Sequence, residues 1–91
     1  MNKSAMIELF GKDSKNVDYL SDLQFSVANL IFSERLKRGM NQKKFAKEIG
    51  ISKALLSEWE NGDYNFTLEL IAEIADKLGV KPSISFISRY Q

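Results

Sequence analysis

The sequence has no cysteine and no histidine, and proline occurs only once among its 91 residues. The first two absences remove the raw material for disulfides, for zinc sites built from Cys and His, and for catalytic Ser-His or Cys-His pairs. We therefore expect a protein that is not an enzyme and that needs no metal and no cofactor.

Long apolar runs are missing as well. No stretch approaches the roughly 20 apolar residues that cross a bilayer. The apolar group near the N-terminus is interrupted by Glu8 and ended by Gly11, so it lacks the core of a signal peptide. We expect a cytoplasmic protein that makes no membrane contact. Its hydrophobic content of 44% over 91 residues is enough for one modest core.

Charge is nearly balanced over the whole chain, with a net value of +1, but it is unevenly distributed. Seven basic residues and one acidic residue lie between Arg35 and Lys53, whereas six acidic residues and no basic residue lie between Ala54 and Asp76. One end of the domain is therefore predicted to be positive, which favours a nucleic-acid partner. The alternative is that the lysines only keep a surface solvated.

The stretch from Met40 to Gly62 contains two short amphipathic segments joined by a tight turn. Gly50 can adopt the left-handed conformation that ends the first helix, and Asn41 and Ser52 suit the N-caps of the two helices. Two helices joined by so short a turn cross steeply, which leaves the start of the second helix protruding. The apolar residues that share a helical face are Phe45, Ala46 and Ile49 in the first segment and Leu55, Leu56 and Trp59 in the second.

This stretch resembles the helix-turn-helix of the lambda-repressor/Cro-like family, also called the XRE family. The matching positions are Gln42, Ala46, Gly50, Leu56, Glu60, Asn61 and Gly62. The resemblance runs from about Phe32 to Val80 and implies a mainly α, lambda-repressor-like bundle of four to five helices. It also implies a sequence-specific DNA-binding transcriptional regulator, specifically a repressor. Such a protein acts as a homodimer on a two-fold-symmetric operator, here through the helix Lys53 to Glu60.

By the same resemblance, the base-reading positions fall on Lys53, Ala54 and Glu58, with Ser57 nearby. A lysine can donate to guanine O6 and N7, an alanine can touch a thymine methyl, and a glutamate can accept from cytosine N4. Glu58 being only solvated is an alternative, as is a capping role alone for Asn41. The residues expected to contact phosphates of the duplex are Asn41, Gln42, Lys43, Lys44 and Asn61.

The resemblance further implies an ion pair between Arg35 and Glu60, which would tie the first long helix to the end of the second motif helix. Such a charge-assisted pair is strong when it is partly buried. The alternative is that both side chains are solvated independently.

The chain divides into an N-terminal arm over residues 1–20, the helix-turn-helix domain over residues 21–80, and a C-terminal strand over residues 81–91. In the arm, the apolar group Met6, Ile7, Leu9 and Phe10 is expected to pack on the same chain or on its dimer mate. The alternative is a segment that becomes ordered only with a partner.

A capping box of Ser21 and Gln24 predicts a long helix from about Asp22 to Arg38, ended by Gly39. This helix is too apolar for one stripe. We assign Phe25, Ala28, Phe32 and Leu36 to the face against the motif. The remaining face, covered by the arm or by a second subunit, is predicted to carry Leu23, Val27 and Leu30.

A last helix is predicted from Leu68 to about Leu78, with Thr67 as its N-cap and Gly79 as its end. Beyond it, the alternating residues of 82–88 predict a β-strand. Its candidate dimerisation residues are Ile84, Phe86 and Ile87, which would pair with their copies across a two-fold axis. Pairing with the segment Met6 to Phe10 is the alternative.

A second function class remains open alongside the repressor. Some members of the resembling family are antitoxins, which neutralise a toxin by protein contact and autoregulate their operon. The N-terminal arm would suit a toxin partner, whereas the basic residues beside the motif favour DNA.

Overall fold

The computed structural model describes residues 16–88 of the chain, which form four α-helices. The helices are α1 (Asn16–Lys37), α2 (Gln42–Ile49), α3 (Lys53–Glu60) and α4 (Leu68–Leu78). The prediction of a mainly α bundle is confirmed, and α3 and α4 have the predicted bounds.

Short polar side chains begin the last three helices. Asn41 Oδ1, Ser52 Oγ and Thr67 Oγ1 each accept a hydrogen bond from the backbone N–H three residues on, at 2.9 to 3.0 Å. Each of these bonds satisfies an N–H that the helix itself leaves without a partner. Gly50 and Gly79, with φ of 81° and 71°, end α2 and α4 in the left-handed conformation.

The core lies where α1 and α4 pack against the α2–α3 pair. Its largest fully buried side chains are Ile31, Phe45 and Leu56. Trp59 is also buried, and the rings of Tyr64 and Phe66, which follow α3, contact it with centroid separations of 6.4 and 6.2 Å. The loop after α3 therefore closes one side of the core.

The start of α1 differs from the prediction. The helix begins at Asn16, six residues before Asp22, so Ser21 lies inside it and does not act as an N-cap. Gln24, the second member of the predicted capping box, instead donates from Nε2 to the backbone carbonyl of Asp63 at 3.3 Å. A Ser-x-x-Gln spacing occurs in helix interiors as well as at their starts, and here tertiary contact decides its use.

The packing face of α1 was also predicted wrongly. Val27 and Leu30 pack against the core cluster, and Ala28 and Ile31 are buried in the helix face beside them. Of the residues assigned to the inward face, only Ala28 is buried. The sequence could not identify the packing face because α1 is apolar around most of its circumference. The residues predicted to be inward but found exposed are Phe25 at 63%, Phe32 at 40% and Leu36 at 54%.

The predicted C-terminal strand is not seen over residues 81–88, which is the part of it that the structure describes. Residues 81–88 carry no regular secondary structure, and all of them are exposed. A β-strand needs a neighbouring edge for its backbone groups, and the described part of one chain offers none. The arm residues Met6, Ile7, Leu9 and Phe10 lie outside the described residues.

Candidate nucleic-acid interface

The turn between α2 and α3 fixes how α3 stands on the domain. Gly50 takes φ of 81°, and the N–H of Ile51 donates back to the carbonyl of Ala46 at 2.9 Å. Ser52 then caps α3, which begins at the next residue, Lys53. Three residues separate the two helices, and Lys53 and Ala54 at the start of α3 are exposed.

The four predicted base-reading residues lie on the exposed side of α3. They occupy positions one and four residues apart, which places them on one helical face. Leu56 and Trp59, on the opposite side, are 0% and 3% exposed. The exposed residues of α3 are Lys53, Ala54, Ser57 and Glu58. A cation, a methyl group, a hydroxyl and a carboxylate are therefore presented together at one surface.

A polar network holds the C-terminal end of α3. Arg35 donates from Nε and Nη2 to the two carboxylate oxygens of Glu60, at 2.8 and 3.0 Å, and from Nη1 to the carbonyl of Met40 at 3.1 Å. Gln42 Nε2 donates to Glu60 Oε1 at 3.1 Å. The side chains of Arg35 and Glu60 are only 12% and 6% exposed. Three helices thus meet at one carboxylate.

Two further ties were missed by the sequence reasoning. Arg38 donates to the carbonyl of Leu78 at 3.0 Å, and its guanidinium carbon lies 5.4 Å from the centre of the Phe45 ring. Lys77 donates to the carbonyl of Ile49 at 2.8 Å, at the end of α2. Both cations sit at helix C-termini, where the helix dipole favours positive charge. That preference was the available signal, but sequence alone does not reveal which distant helix end a long side chain reaches.

The predicted phosphate residues fall into two groups. Lys43 and Lys44 are exposed at the start of α2, beside Asn41, whose Oδ1 is occupied in capping while its amide nitrogen points to no acceptor among the described residues. The side-chain amides of Gln42 and Asn61 already donate, to Glu60 and to Asp63 Oδ1. The first group is therefore better placed to meet an external anion than the second.

We call the seven basic residues between Arg35 and Lys53 the basic block. Fewer of its side chains are available to a partner than this count indicated. Arg35 is paired with Glu60, Lys37 contacts Glu34 at 3.1 Å, and Arg38 is bound to the end of α4. The members of the block that remain exposed, without a partner among the described residues, are Lys43, Lys44, Lys47 and Lys53. All four belong to α2 and α3, so the available positive charge is concentrated on the two motif helices.

Within residues 16–88, no cluster of acidic side chains is arranged to hold a metal ion. None of the helices in the same range has the length and hydropathy needed to span a membrane.

Two helices joined by a three-residue turn, an exposed polar face on the second and lysines at the start of the first are the arrangement of a helix-turn-helix DNA-binding domain. A helix-turn-helix family model matches residues 31–84, which is more than half of the chain. The chain therefore belongs to the XRE family of lambda-repressor and Cro-like helix-turn-helix proteins, which are DNA-binding transcriptional regulators. No curated protein and no solved structure matches it.

Proposed function

We propose that this protein is a repressor that binds a two-fold-symmetric operator as a homodimer, with α3 of each copy in the major groove. The observation that carries the proposal is the exposed face of α3, which is backed by buried Leu56 and Trp59 and held at its end by the Arg35–Glu60 pair. Transcription is blocked when an operator of this kind overlaps the site where polymerase binds. Operator binding requires DNA in the same compartment, which is consistent with the expected cytoplasmic location.

The four exposed residues of α3 are suited to different base edges. Lys53 at the start of the helix would donate to guanine O6 and N7, and the methyl of Ala54 would contact a thymine methyl. Glu58, one turn further, would accept from cytosine N4, and Ser57 can donate or accept. These roles require no rearrangement of the domain, because all four side chains already face solvent.

Phosphate contacts would come chiefly from the start of α2. Lys43 and Lys44 supply charge, and Asn41 supplies an amide next to the N-terminus of the helix, where backbone N–H groups favour anions. Gln42 and Asn61 would each contribute only one side-chain amide N–H, because the other already donates to Glu60 and to Asp63, respectively. Such contacts set register and orientation without reading sequence.

The C-terminal tail is the proposed source of the dimer. Phe86 and Ile87 are 92% and 90% exposed in the single chain, and Ile84 is 65% exposed. No charged residue occurs from Pro82 to Ser88 to protect this segment from association. Pairing of two tails about a two-fold axis would cover these side chains and set the spacing between the two copies of α3.

The test combines operator selection with truncation. Selection from a random duplex library should yield inverted repeats with half-sites about one helical turn, or roughly 34 Å, apart. A chain truncated after Lys81 should sediment as a folded monomer and bind the operator much more weakly, because each half-site loses its linked neighbour. Sequence-independent binding alone would refute the repressor, and a truncated chain that remains a dimer would place the interface elsewhere.

The exposed apolar tail also supports a second candidate, an antitoxin that neutralises a toxin by protein contact and autoregulates its operon. Three large apolar side chains within four residues are unusual on a monomer surface and mark a protein contact. Co-expression with the neighbouring reading frame distinguishes the candidates. Relief of toxicity in that assay, together with co-purification at fixed stoichiometry, would favour the antitoxin. If expression of the neighbouring reading frame does not affect growth, the antitoxin candidate would be excluded.

A further inference from the structure

An asparagine and a glycine follow α3 directly. Asn61 is the C-cap of the helix, and Gly62 comes next with φ of 96°. Among the six asparagines of the chain, Asn61 alone is followed by glycine. The side-chain amide of an asparagine can be attacked by the backbone nitrogen of the next residue, and a glycine there has no Cβ to hinder the attack. This dipeptide is therefore a candidate site of deamidation.

Both reacting groups are available in the folded chain. Asn61 is exposed, and its side-chain carbonyl accepts no hydrogen bond within residues 16–88. The N–H of Gly62 donates to no acceptor in the same range. A backbone N–H that no hydrogen bond holds is free to lose its proton to base. Asn29 differs, because it lies within α1, where the N–H of the next residue is engaged in the helix.

The last turn of α3 must open before the nitrogen can reach the amide. Asn61 has a nearly helical ψ of −21°, whereas the ring that forms in the attack fixes this torsion far from the helical value. The turn is held weakly, because the N–H of Asn61 donates only to the carbonyl three residues back, Glu58, at 3.2 Å. Local opening at a helix end costs little free energy.

A single side-chain contact restrains the amide itself. Asn61 Nδ2 donates to Asp63 Oδ1 at 3.1 Å, and both residues are exposed. An exposed hydrogen bond of this kind contributes little stability, but it holds the amide in one orientation. Removal of the Asp63 carboxylate should therefore release the amide for reaction.

We propose that Asn61 deamidates in the folded protein, that Asp63 slows the reaction, and that the product binds DNA more weakly. The nitrogen of Gly62, deprotonated by base, forms a bond to Cγ of Asn61. The bond from Cγ to Nδ2 breaks, and the nitrogen takes up a proton and leaves as ammonia. Water then opens the resulting succinimide, at Cγ to give aspartate or at the backbone carbonyl carbon to give isoaspartate.

The weaker binding rests on the proposed function, in which Asn61 meets a phosphate. Deamidation replaces a neutral donor with a carboxylate, which repels phosphate and is unfavourable at a helix C-terminus. The contact with Asp63 becomes a contact between two carboxylates, and no basic residue occurs between Ala54 and Asp76 to pair with them. Duplex affinity should fall about tenfold, as expected for loss of a charge-assisted hydrogen bond.

The isoaspartate product also alters the backbone. It places an additional carbon in the main chain between α3 and the loop that carries Tyr64 and Phe66. The rings of these two residues contact Trp59, which belongs to the buried side of α3. The attachment of α3 to the domain should therefore change together with the charge.

Ageing of the full chain in warm, mildly alkaline buffer tests the modification without DNA. Tandem mass spectrometry of peptides should show Asn61 converting at least several-fold faster than Asn65, an exposed asparagine of the same loop that precedes Phe66. Isoaspartate among the products identifies attack by Gly62. Conversion of Asn61 no faster than that of Asn65 would overturn the proposal, as would aspartate as the sole product.

Two matched variants test the restraint. Asp63→Ser removes the acceptor of the Asn61 amide and should speed the conversion several-fold. Asp76→Ser removes an exposed carboxylate on α4 and should leave the rate unchanged. Circular dichroism should show that both variants keep the helical content of the parent. Equal rates in the two variants and the parent would overturn the role of Asp63.

Binding titrations test the consequence. Asn61→Asp should bind a duplex about tenfold more weakly than the parent, and the aged parent should lose affinity in step with its conversion. Aged Asn61→Gln should bind as fresh Asn61→Gln does, because the longer side chain closes its larger ring less readily. Unchanged affinity of a fully converted parent would overturn the effect on DNA.

These titrations need no operator, because phosphate contacts carry no sequence information. A failed operator selection would therefore count against the repressor and leave the deamidation of Asn61 to be judged by the ageing experiment.

Discussion

The helix-turn-helix and the C-terminal tail both carry large apolar residues in a regular pattern, yet these residues are buried in the first and exposed in the second. Phe45 in α2 is fully buried, whereas Phe86 in the tail is 92% exposed. The helical period of α2 and α3 presents each apolar face to a neighbour within the same chain. The alternating pattern of the tail finds no strand edge among residues 16–88. A regular apolar pattern thus leads to burial only where the same chain also provides a surface for it to pack against.

The largest expected difference is between removing a buried ring from α2 and removing an exposed ring from the tail. Phe45→Ala should lower the free energy of unfolding by about 3–5 kcal/mol, because it removes buried apolar surface and leaves a cavity. Phe86→Ala, the matched control, should change it by less than about 0.5 kcal/mol in the monomer. Urea denaturation of both variants at low protein concentration measures the difference, and similar losses would mean that the tail is packed.

The second effect contrasts the buried ion pair with a surface pair on the same helix. Arg35→Ala should lower the free energy of unfolding by about 3 kcal/mol, because it leaves the Glu60 carboxylate without its cation at 6% exposure. Lys37→Ala removes the contact of a 73% exposed lysine with Glu34 and should cost less than about 1 kcal/mol. Thermal melts rank the two, and an Arg35→Ala protein as stable as Lys37→Ala would contradict the role of the pair.

The third effect separates the proposed base-reading face of α3 from the proposed phosphate contacts at the start of α2. Lys53→Ala should weaken the preferred operator by about 1–3 kcal/mol and relax the preference at one base pair. Lys43→Ala should weaken all duplexes alike and reduce the slope of log affinity against log salt by about 0.9. Binding titrations across an operator library at several salt concentrations measure both. Identical specificity profiles for the two variants would reject the distinction.

The smallest effect concerns the cap of α3. Ser52→Ala removes the acceptor for the N–H of Leu55 and should lower the free energy of unfolding by about 1 kcal/mol. Ser57→Ala, inside the same helix and exposed, should be nearly neutral in stability because alanine is the better helix former. Chemical denaturation separates the two, and an equal loss would mean that the hydroxyl at position 52 does not cap the helix.

Much of the helix-turn-helix could be predicted from the sequence because its signals are local. The caps Asn41, Ser52 and Thr67 mark helix starts, and Gly50 and Gly79 mark helix ends, within one residue of the observed bounds. The family was recognised from positions in the same stretch, and the family match confirms it.

The errors lie where the deciding contacts are distant in sequence. The face of α1 could not be chosen from a helix that is apolar on most sides, and the carbonyls bound by Arg38 and Lys77 lie 40 and 28 residues away. The strand at residues 82–88 was inferred from alternation, but alternation does not supply the second strand that hydrogen bonding requires.

The carboxylate of Glu60, shared by Arg35 and Gln42, bears on the thermodynamics of DNA binding. A helix of eight residues is too short to be stable alone in water, so α3 is stabilised by its contacts with α1 and α2. Folding has thus already ordered the helix before any duplex arrives. Association at α3 should behave as rigid docking, with a heat-capacity change set by the contact surface and without the larger change of coupled folding.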